Sequence, residues 1–248
     1  NALLITHAHI DHIGLVPKFV KDGFDAPIYA TKPTVALADV MLRDSAKIQT
    51  EDAAYKKKRH RKEGRRGRYP EEPLYVVEDV VKAMPLFRSV DYQIPISIAD
   101  GITATWHDAG HILGSAMIEI AVTENGQSRT VLFSGDIIFE GRIPFVGNAD
   151  SRKWLETLTR LETEGLNALV PGHGPASSNP EQTISLTRRY LAYLRKVLSE
   201  GIEELTPFDE VYAEADWSEF KDLPAFEEAN RINAYQVYLS MEAELLEE

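Results

Sequence analysis

Four side chains that can bind a divalent metal ion occur within six residues near the start of the chain: His7, His9, Asp11 and His12. In an extended segment alternate side chains project to the same side, so His7, His9 and Asp11 would point together. A turn after Asp11 would bring His12 round to join them. Because the chain has no cysteine, a metal must be held by imidazole and carboxylate, a donor set that suits zinc and also fits iron or manganese.

Three more candidate ligands follow: His111 in AGHILGS, Asp136 in FSGD and His173 in PGHG. Taken singly, His111 is typical of a structural histidine, and Asp136 of a turn or helix cap. The apolar runs ALLIT, ITATW, TVLFS and NALV each precede a polar segment and are predicted to be strands. Ligand sites in open α/β sheets lie beyond the carboxyl ends of strands, so the seven residues are predicted to form one metal site.

The elements that position these residues are predicted to form a single α/β domain spanning residues 1–248. Residues 31–92 would be a helical, partly basic insert, with helices at 34–62 and 76–87, and residues 201–248 a helical tail ending in a helix over 225–246. Asp150 is predicted to cap a helix. Asn179 is predicted to cap another, with Pro180 at the first position, where a missing N–H costs nothing.

Charge is distributed unevenly along the chain. The net charge is −12, yet residues 56–68 carry nine basic residues and one acid, a local +8, which leaves −20 elsewhere. Such a run is typical of a solvated helix end or mobile loop, and a phosphate-contacting arm is the alternative. The basic residues are Lys56, Lys57, Lys58, Arg59, Arg61, Lys62, Arg65, Arg66 and Arg68.

No apolar run approaches the length of a membrane-spanning helix, and no secretory signal is visible. These observations favour a cytoplasmic protein with no membrane partner. The oligomeric state is not indicated by the sequence.

The string THAHIDH with the later AGH, SGD and PGHG resembles the metallo-β-lactamase superfamily, in its two-metal hydrolase branches. The resemblance implies an αβ/βα sandwich with two zinc ions at one edge. It implies that His7, His9 and His111 bind the first metal, that Asp11, His12 and His173 bind the second, and that Asp136 bridges them.

The resemblance divides at Asp136. Residues 1–136 resemble the β-CASP branch, which processes RNA, whereas residues 137–248 resemble small-substrate hydrolases of the sulfur-oxidation and quinoprotein-relay type. A natural mosaic and an engineered chimera both fit this division. Family members have several strands before the HxHxDH motif, so the fold is expected to be shortened at its N-terminus.

Two metal ions about 3.5–4 Å apart lower the pKa of a shared water and create a nucleophile. Asp11 and Asp136 are the predicted catalytic residues: Asp11 would orient the nucleophile, and Asp136 would fix the metal spacing. A small ester or thioester is the expected substrate, because the −20 background repels polyanions and the helices after His173 can enclose a compact pocket. An RNA nuclease of the β-CASP type and a catalytically idle metal-binding scaffold are the alternatives.

Several neighbouring residues are assigned smaller roles. Thr6 and Asp108 are candidates to orient ligand histidines, although ordinary turn roles are favoured for both. His107 is expected to pack or hydrogen-bond rather than bind metal, and His60 to be solvated. The loop over 142–147 would be either a substrate-facing lid or a packing element.

Overall fold

The computed structural model describes residues 2–147, 149–162 and 166–247. Contacts within the chain divide it into two compact units. The first unit comprises Asn1–Ile94 and Leu113–Ser115, and the second comprises Pro95–Ile112 and Ala116–Glu248. The organisation as one domain therefore stays a prediction, and each unit is described by itself.

The first unit is built on a three-stranded parallel sheet in the order β1–β2–β3. Its strands are β1 (Leu3–Leu4), β2 (Ile28–Thr31) and β3 (Phe87–Val90). Its helices are α1 (Ile10–Ile13), α2 (Val16–Lys21), α3 (Lys32–Lys62) and α4 (Val77–Ala83), the last followed by a 3₁₀ turn (Met84–Leu86). A core of buried apolar side chains joins the sheet to these helices.

Helix α3 begins directly after β2, and its start is fixed by two threonine hydroxyls. Thr31 is the N-cap, and its hydroxyl accepts the Thr34 N–H. Both hydroxyls also donate to the Gly114 carbonyl, at 2.6 and 2.7 Å. Buried residues then recur every four positions as far as Ala46 and once more seven residues later, which sets one face of the helix against the core of the first unit. The buried positions are Thr34, Ala38, Leu42, Ala46 and Ala53.

The second unit contains a five-stranded sheet in the order β4–β5–β6–β7–β8. Its strands are β4 (Ile96–Ala99), β5 (Ile102–Asp108), β6 (Ala116–Glu124), β7 (Gln127–Phe139) and β8 (Ala168–His173). The first three pairings are antiparallel, and β7 pairs with β8 in parallel. The longest strand, β7, carries a run of buried residues through its second half.

Among its described residues, the second unit also contains the helices α5 (Ser151–Leu161), α6 (Pro180–Glu203), α7 (Phe208–Glu214) and α8 (Phe226–Glu247). Asp150 caps α5 by accepting the N–H groups of the second and third residues, and Asn179 caps α6. Both caps, and Pro180 at the first position of α6, are as the sequence predicts. Buried residues of α5, α6 and α8 pack with the sheet in one apolar core.

Two predicted boundaries differ from the structure. The helix predicted over 76–87 ends at Ala83, because Pro85 lacks the N–H needed to continue an α-helix, and Phe87 already begins β3. The strand predicted to end before Asp136 continues to Phe139, where pairing with β8 resumes opposite His173. The mixed α/β class is confirmed. Among the described helices, none is long and apolar enough to span a membrane.

Candidate metal centre

The first unit places four predicted ligands at the carboxyl edge of its sheet. The Ile5 N–H donates to the Tyr29 carbonyl at 2.9 Å, so the extended path of β1 runs on toward His7. The expectation that the segment stays extended to Asp11 is wrong. The N–H groups of His12 and Ile13 both donate to the His9 carbonyl, so α1 begins at Ile10 and carries Asp11 and His12 on a helical turn.

These side chains are close together. The rings of His7 and His9 have centroids 4.9 Å apart, and those of His7 and His12 lie 4.2 Å apart. His12 Nε2 is 3.5 Å from an Asp11 carboxylate oxygen. His7 is only 1% exposed, whereas the Asp11 side chain is 55% exposed. The first unit thus offers three clustered imidazoles and one carboxylate that solvent reaches.

In the second unit, two of the other three predicted ligands are histidines that flank the third, a buried carboxylate. Asp136 is 7% exposed, and its two oxygens face different histidines. Oδ2 lies 3.6 Å from His111 Nε2, and Oδ1 lies 3.5 Å from His173 Nε2. A carboxylate with one oxygen directed to each of two imidazoles has the arrangement that a bridging ligand requires.

The donor set of each unit fits a divalent metal ion. The Asp136 oxygens lie 3.5–3.6 Å from the two imidazole nitrogens, farther than in ordinary hydrogen bonds, whose most common length is about 2.9 Å. Two donors about 2.1 Å from a tetrahedral zinc ion lie about 3.4 Å apart. Three pairs of these residues have candidate ligand atoms within 4.8 Å of each other, the limit applying inside each pair: His7 with His9, Asp11 with His12, and His111 with Asp136.

Thr6 supports one of these histidines. Its hydroxyl lies 3.1 Å from His7 Nδ1, which leaves Nε2 as the ring nitrogen for a metal. Asp108, the other residue considered for such a role, accepts the Gly110 N–H at 3.0 Å and so forms a local turn. His107 Nε2 lies 3.5 Å from a Glu119 carboxylate oxygen on the neighbouring strand, and the expectation that it packs or hydrogen-bonds rather than binds metal stays a prediction.

The position of the Asp136 carboxylate depends on Gly172. A Cβ added at Gly172 would lie 2.2 Å from Asp136 Oδ1 and 2.6 Å from the Gly135 carbonyl oxygen. Gly135 has a φ of +54°, and the pairing of β7 with β8 is irregular on both sides of it. The glycine before His173 therefore leaves the space that the carboxylate occupies. The sequence signalled a tight glycine turn here but not this steric role.

Replacing Gly172 by Ala is expected to displace the Asp136 carboxylate and to destabilise the fold by about 1–3 kcal/mol, because the added methyl overpacks a filled site. The amount of metal bound per chain should fall as well, because the displaced carboxylate is a predicted ligand. Chemical denaturation and elemental analysis measure the two effects. Gly126→Ala is the control for metal content: its Cβ would meet nothing within 4 Å, and although its φ of +77° makes this substitution itself costly to stability, its bound metal should be unchanged. Full metal content in Gly172→Ala would contradict the steric role.

The loop over 142–147 is a packing element rather than a free lid. Ile143 and Val146 are buried, and the Asn233 side chain on α8 accepts the Val146 N–H at 2.9 Å and donates to the Pro144 carbonyl at 2.7 Å. Asn233 also donates to the Tyr190 hydroxyl at 3.1 Å. Burial raises the pKa of that hydroxyl well above its ordinary value, so it stays protonated. Sequence reasoning missed this buried network, because an asparagine within a helix carries no distinctive signal.

Comparison with known proteins identifies the family. The family model for the metallo-beta-lactamase superfamily matches residues 1–173. The chain belongs to this superfamily, whose members are generally metal-dependent hydrolases, and the prediction of the family is confirmed. The match includes all seven predicted ligands.

Individual relatives refine the comparison. "Ribonuclease TTHA0252" of Thermus thermophilus is 29% identical over 208 residues, which cover 84% of this chain and 39% of that protein. "Transcription termination factor FttA" of Methanococcus maripaludis is 36% identical over 140 residues, 56% of this chain and 19% of that protein. The chain therefore spans less than half the length of either relative.

One solved structure supports the fold. The metallo-beta-lactamase family protein TTHA1429 from Thermus thermophilus is 20% identical and matches with a TM-score of 0.52. The match covers 98% of this chain and 75% of that one.

Proposed function

We propose that this chain is a metal-dependent phosphodiesterase that cleaves RNA. The observation that carries the proposal is the similarity to a ribonuclease over 84% of the chain. That similarity favours the RNA-processing alternative over the small ester expected from the sequence. The resemblance of residues 137–248 to small-substrate hydrolases stays a prediction.

We infer from membership of the superfamily that the seven predicted ligands form one dinuclear site. His7, His9 and His111 would hold one ion, and Asp11, His12 and His173 the other, with Asp136 between them. Zinc suits these donors best, and iron or manganese would fit. When bound, the ions would activate water and stabilise the charge that develops on the phosphate.

The protein's own carboxylates have distinct roles in this proposal. Asp136 is buried and faces two histidines, so it would hold the spacing of the site. Asp11 is half exposed beside His12, so it can reach both the site and the substrate. We assign Asp11 the role of orienting the attacking water and accepting its proton.

The helices after His173 had been expected to enclose a pocket for a small substrate. The cavity between α6 and α7, of about 430 Å³, has an acidic lining and contains none of the seven predicted ligands. The nine Lys and Arg residues at 56–68 are all exposed, which suits contact with a polyanion. The exposed basic segment of the first unit therefore supports RNA as the substrate, and the cavity between α6 and α7 lies apart from the predicted ligands of its own unit.

A substrate panel tests the proposal directly. The purified chain would be incubated with a labelled single-stranded RNA, a chromogenic ester, a thioester, a β-lactam and a chromogenic phosphodiester, each with and without chelator. We expect the RNA to be cleaved fastest, with loss of activity on chelation and weakening at high salt.

Other outcomes of this panel have clear meanings. Faster chelator-sensitive cleavage of the ester or thioester would reverse the assignment in favour of a small substrate. No turnover of any compound by protein that retains its metal would favour the catalytically idle scaffold.

A further inference from the structure

The last turns of α3 extend beyond the core of the first unit. Ala53 is the last buried residue of the helix, and 54–62 are exposed apart from the half-buried His60. At about 1.5 Å per residue, this exposed part of the helix is about 13 Å long. It carries a concentration of positive charge that packing within its unit does not explain.

One face of this segment combines basic and aromatic side chains. Tyr55, Lys58, Arg59 and Lys62 are spaced by three, four and seven residues and therefore share a face. Tyr55 is 65% exposed. In the loop that follows, Tyr69 is 72% exposed, and the Arg68 guanidinium lies over its ring at 5.4 Å from the centroid.

The loop is held against the helix by acidic side chains. The Glu71 carboxylate contacts the His60 ring and accepts the Gly67 N–H. The expectation that His60 is solvated is therefore wrong, because its ring packs against this carboxylate. Glu63 accepts from Arg59 Nε at 2.8 Å and Arg65 Nε at 2.6 Å. Hydrogen bonds from Arg59 and Arg65 lower the pKa of the Glu63 carboxyl, so it stays ionised. Glu63 thus orders two arginines while cancelling part of their charge.

We propose that this surface, formed by Tyr55, Lys58, Arg59, Lys62, Arg65, Arg66, Arg68 and Tyr69, binds single-stranded RNA at a distance from the metal ligands. This rests on the proposed function, because it makes the surface a second contact for the same substrate. The basic groups would contact phosphates, and the exposed tyrosine rings would stack with unpaired bases. A duplex, whose bases are already stacked, would gain nothing from the tyrosines.

The distance between the predicted metal ligands of the first unit and this surface can be estimated from the first unit alone. His7 lies just past the carboxyl edge of β1, and α3 begins at the same edge, directly after the parallel strand β2. Lys56 lies 24 residues after Lys32 along one continuous helix, or about 36 Å. At about 3.4 Å per stacked nucleotide, roughly ten nucleotides are needed to reach from the ligands to the surface.

The test compares oligonucleotides of 5 and 20 nucleotides on two charge-matched variants. One variant carries Lys58→Gln, Arg59→Gln and Lys62→Gln; the control carries Lys153→Gln, Lys196→Gln and Lys221→Gln, all exposed in the second unit. Fluorescence anisotropy would measure binding of each oligonucleotide, and circular dichroism would confirm the folds. We expect about tenfold weaker binding of the 20-mer by the first variant only. Its slope of log affinity against log salt should fall by about 2, since each contact on a single strand contributes about 0.7.

Further variants separate stacking from charge. Tyr55→Ala and Tyr69→Ala should each weaken binding of the single-stranded 20-mer at least about fivefold and leave binding of a duplex unchanged. Glu63→Gln should strengthen binding, because it removes the acid that faces Arg59 and Arg65. The proposal would be overturned if the triple variant on α3 (Lys58→Gln, Arg59→Gln and Lys62→Gln, called the α3 variant) and its control lost equal affinity for the 20-mer. Tyrosine variants that bind like the wild type would also overturn it.

The outcomes for the two proposals are distinguishable. If the wild type binds the 20-mer through this surface but cleaves no RNA, the proposed function fails and the binding surface stands. If RNA is cleaved but the α3 variant binds and cleaves the 20-mer like the wild type, the surface fails and the function stands. If both proposals hold, the variant with Lys58, Arg59 and Lys62 replaced should cleave the 20-mer no faster than the 5-mer. It should cleave the 5-mer at the wild-type rate.

Discussion

Replacing Asp136 by Asn is expected to lower kcat/KM for the best substrate at least about 10²-fold, within the 10²–10⁴ range typical of groups that act directly in catalysis. The amide has nearly the same shape, so the fold should persist. It is neutral, however, and it presents an NH₂ group where a carboxylate oxygen now faces an imidazole at 3.5–3.6 Å. At one of the two positions that face a histidine, the carboxylate oxygen that would bind metal is therefore lost.

The control for this change is Asp150→Asn in the same unit. Asp150 caps α5 through its side chain, and asparagine caps helices equally well, so stability and activity should be unchanged. Thermal unfolding followed by circular dichroism would confirm both folds, and initial rates would compare the activities. Retention by Asp136→Asn of more than about a tenth of the wild-type rate would contradict a bridging role.

Simultaneous replacement of His7 and His9 by Ala is expected to remove at least half of the bound metal. The wild type should hold about two equivalents per chain if the dinuclear assignment is right. The two rings lie 4.9 Å apart, and the sequence resemblance assigns both to the same ion. Losing two of its three imidazoles should leave that ion too weakly held to survive purification, whereas the second ion keeps its own donors.

Elemental analysis of the purified variants measures this effect. His107→Ala is the matched control, since His107 is a half-buried histidine of β5 that lies 3.5 Å from Glu119. Its metal content should equal that of the wild type. A double variant that retains more than half of the wild-type metal would show that His7 and His9 are not ligands to the same ion.

The sequence was most informative where a feature depends on near neighbours. Asp150 and Asn179 were identified as caps, because a cap is satisfied by backbone N–H groups two or three residues away. The candidate metal donors could be proposed from the sequence because their chemical types and order are themselves the signal; that they bind metal stays a prediction. The excess of positive charge at 56–68 is likewise a property of composition that folding does not alter.

Details of the same segments were less predictable. The HxHxDH motif was expected to stay extended to Asp11, yet α1 begins at Ile10. Period-two alternation and a short helical turn both bring neighbouring donors together, so residue types alone did not decide between them. The expectation for His60 was wrong for a related reason: its partner Glu71 is eleven residues away, in a loop whose path the sequence did not indicate.

Tertiary structure alone decided the features that join distant parts of the chain. Gly172 makes room for the Asp136 carboxylate only because β8 lies beside β7, and Asn233 holds the 144–146 backbone from 87 residues away. Such contacts depend on how strands and helices pack, and no local pattern encodes the partner of a glycine or an asparagine. The sequence by itself determined which groups can bind metal and where positive charge collects; the packing of each unit determined which atoms face one another.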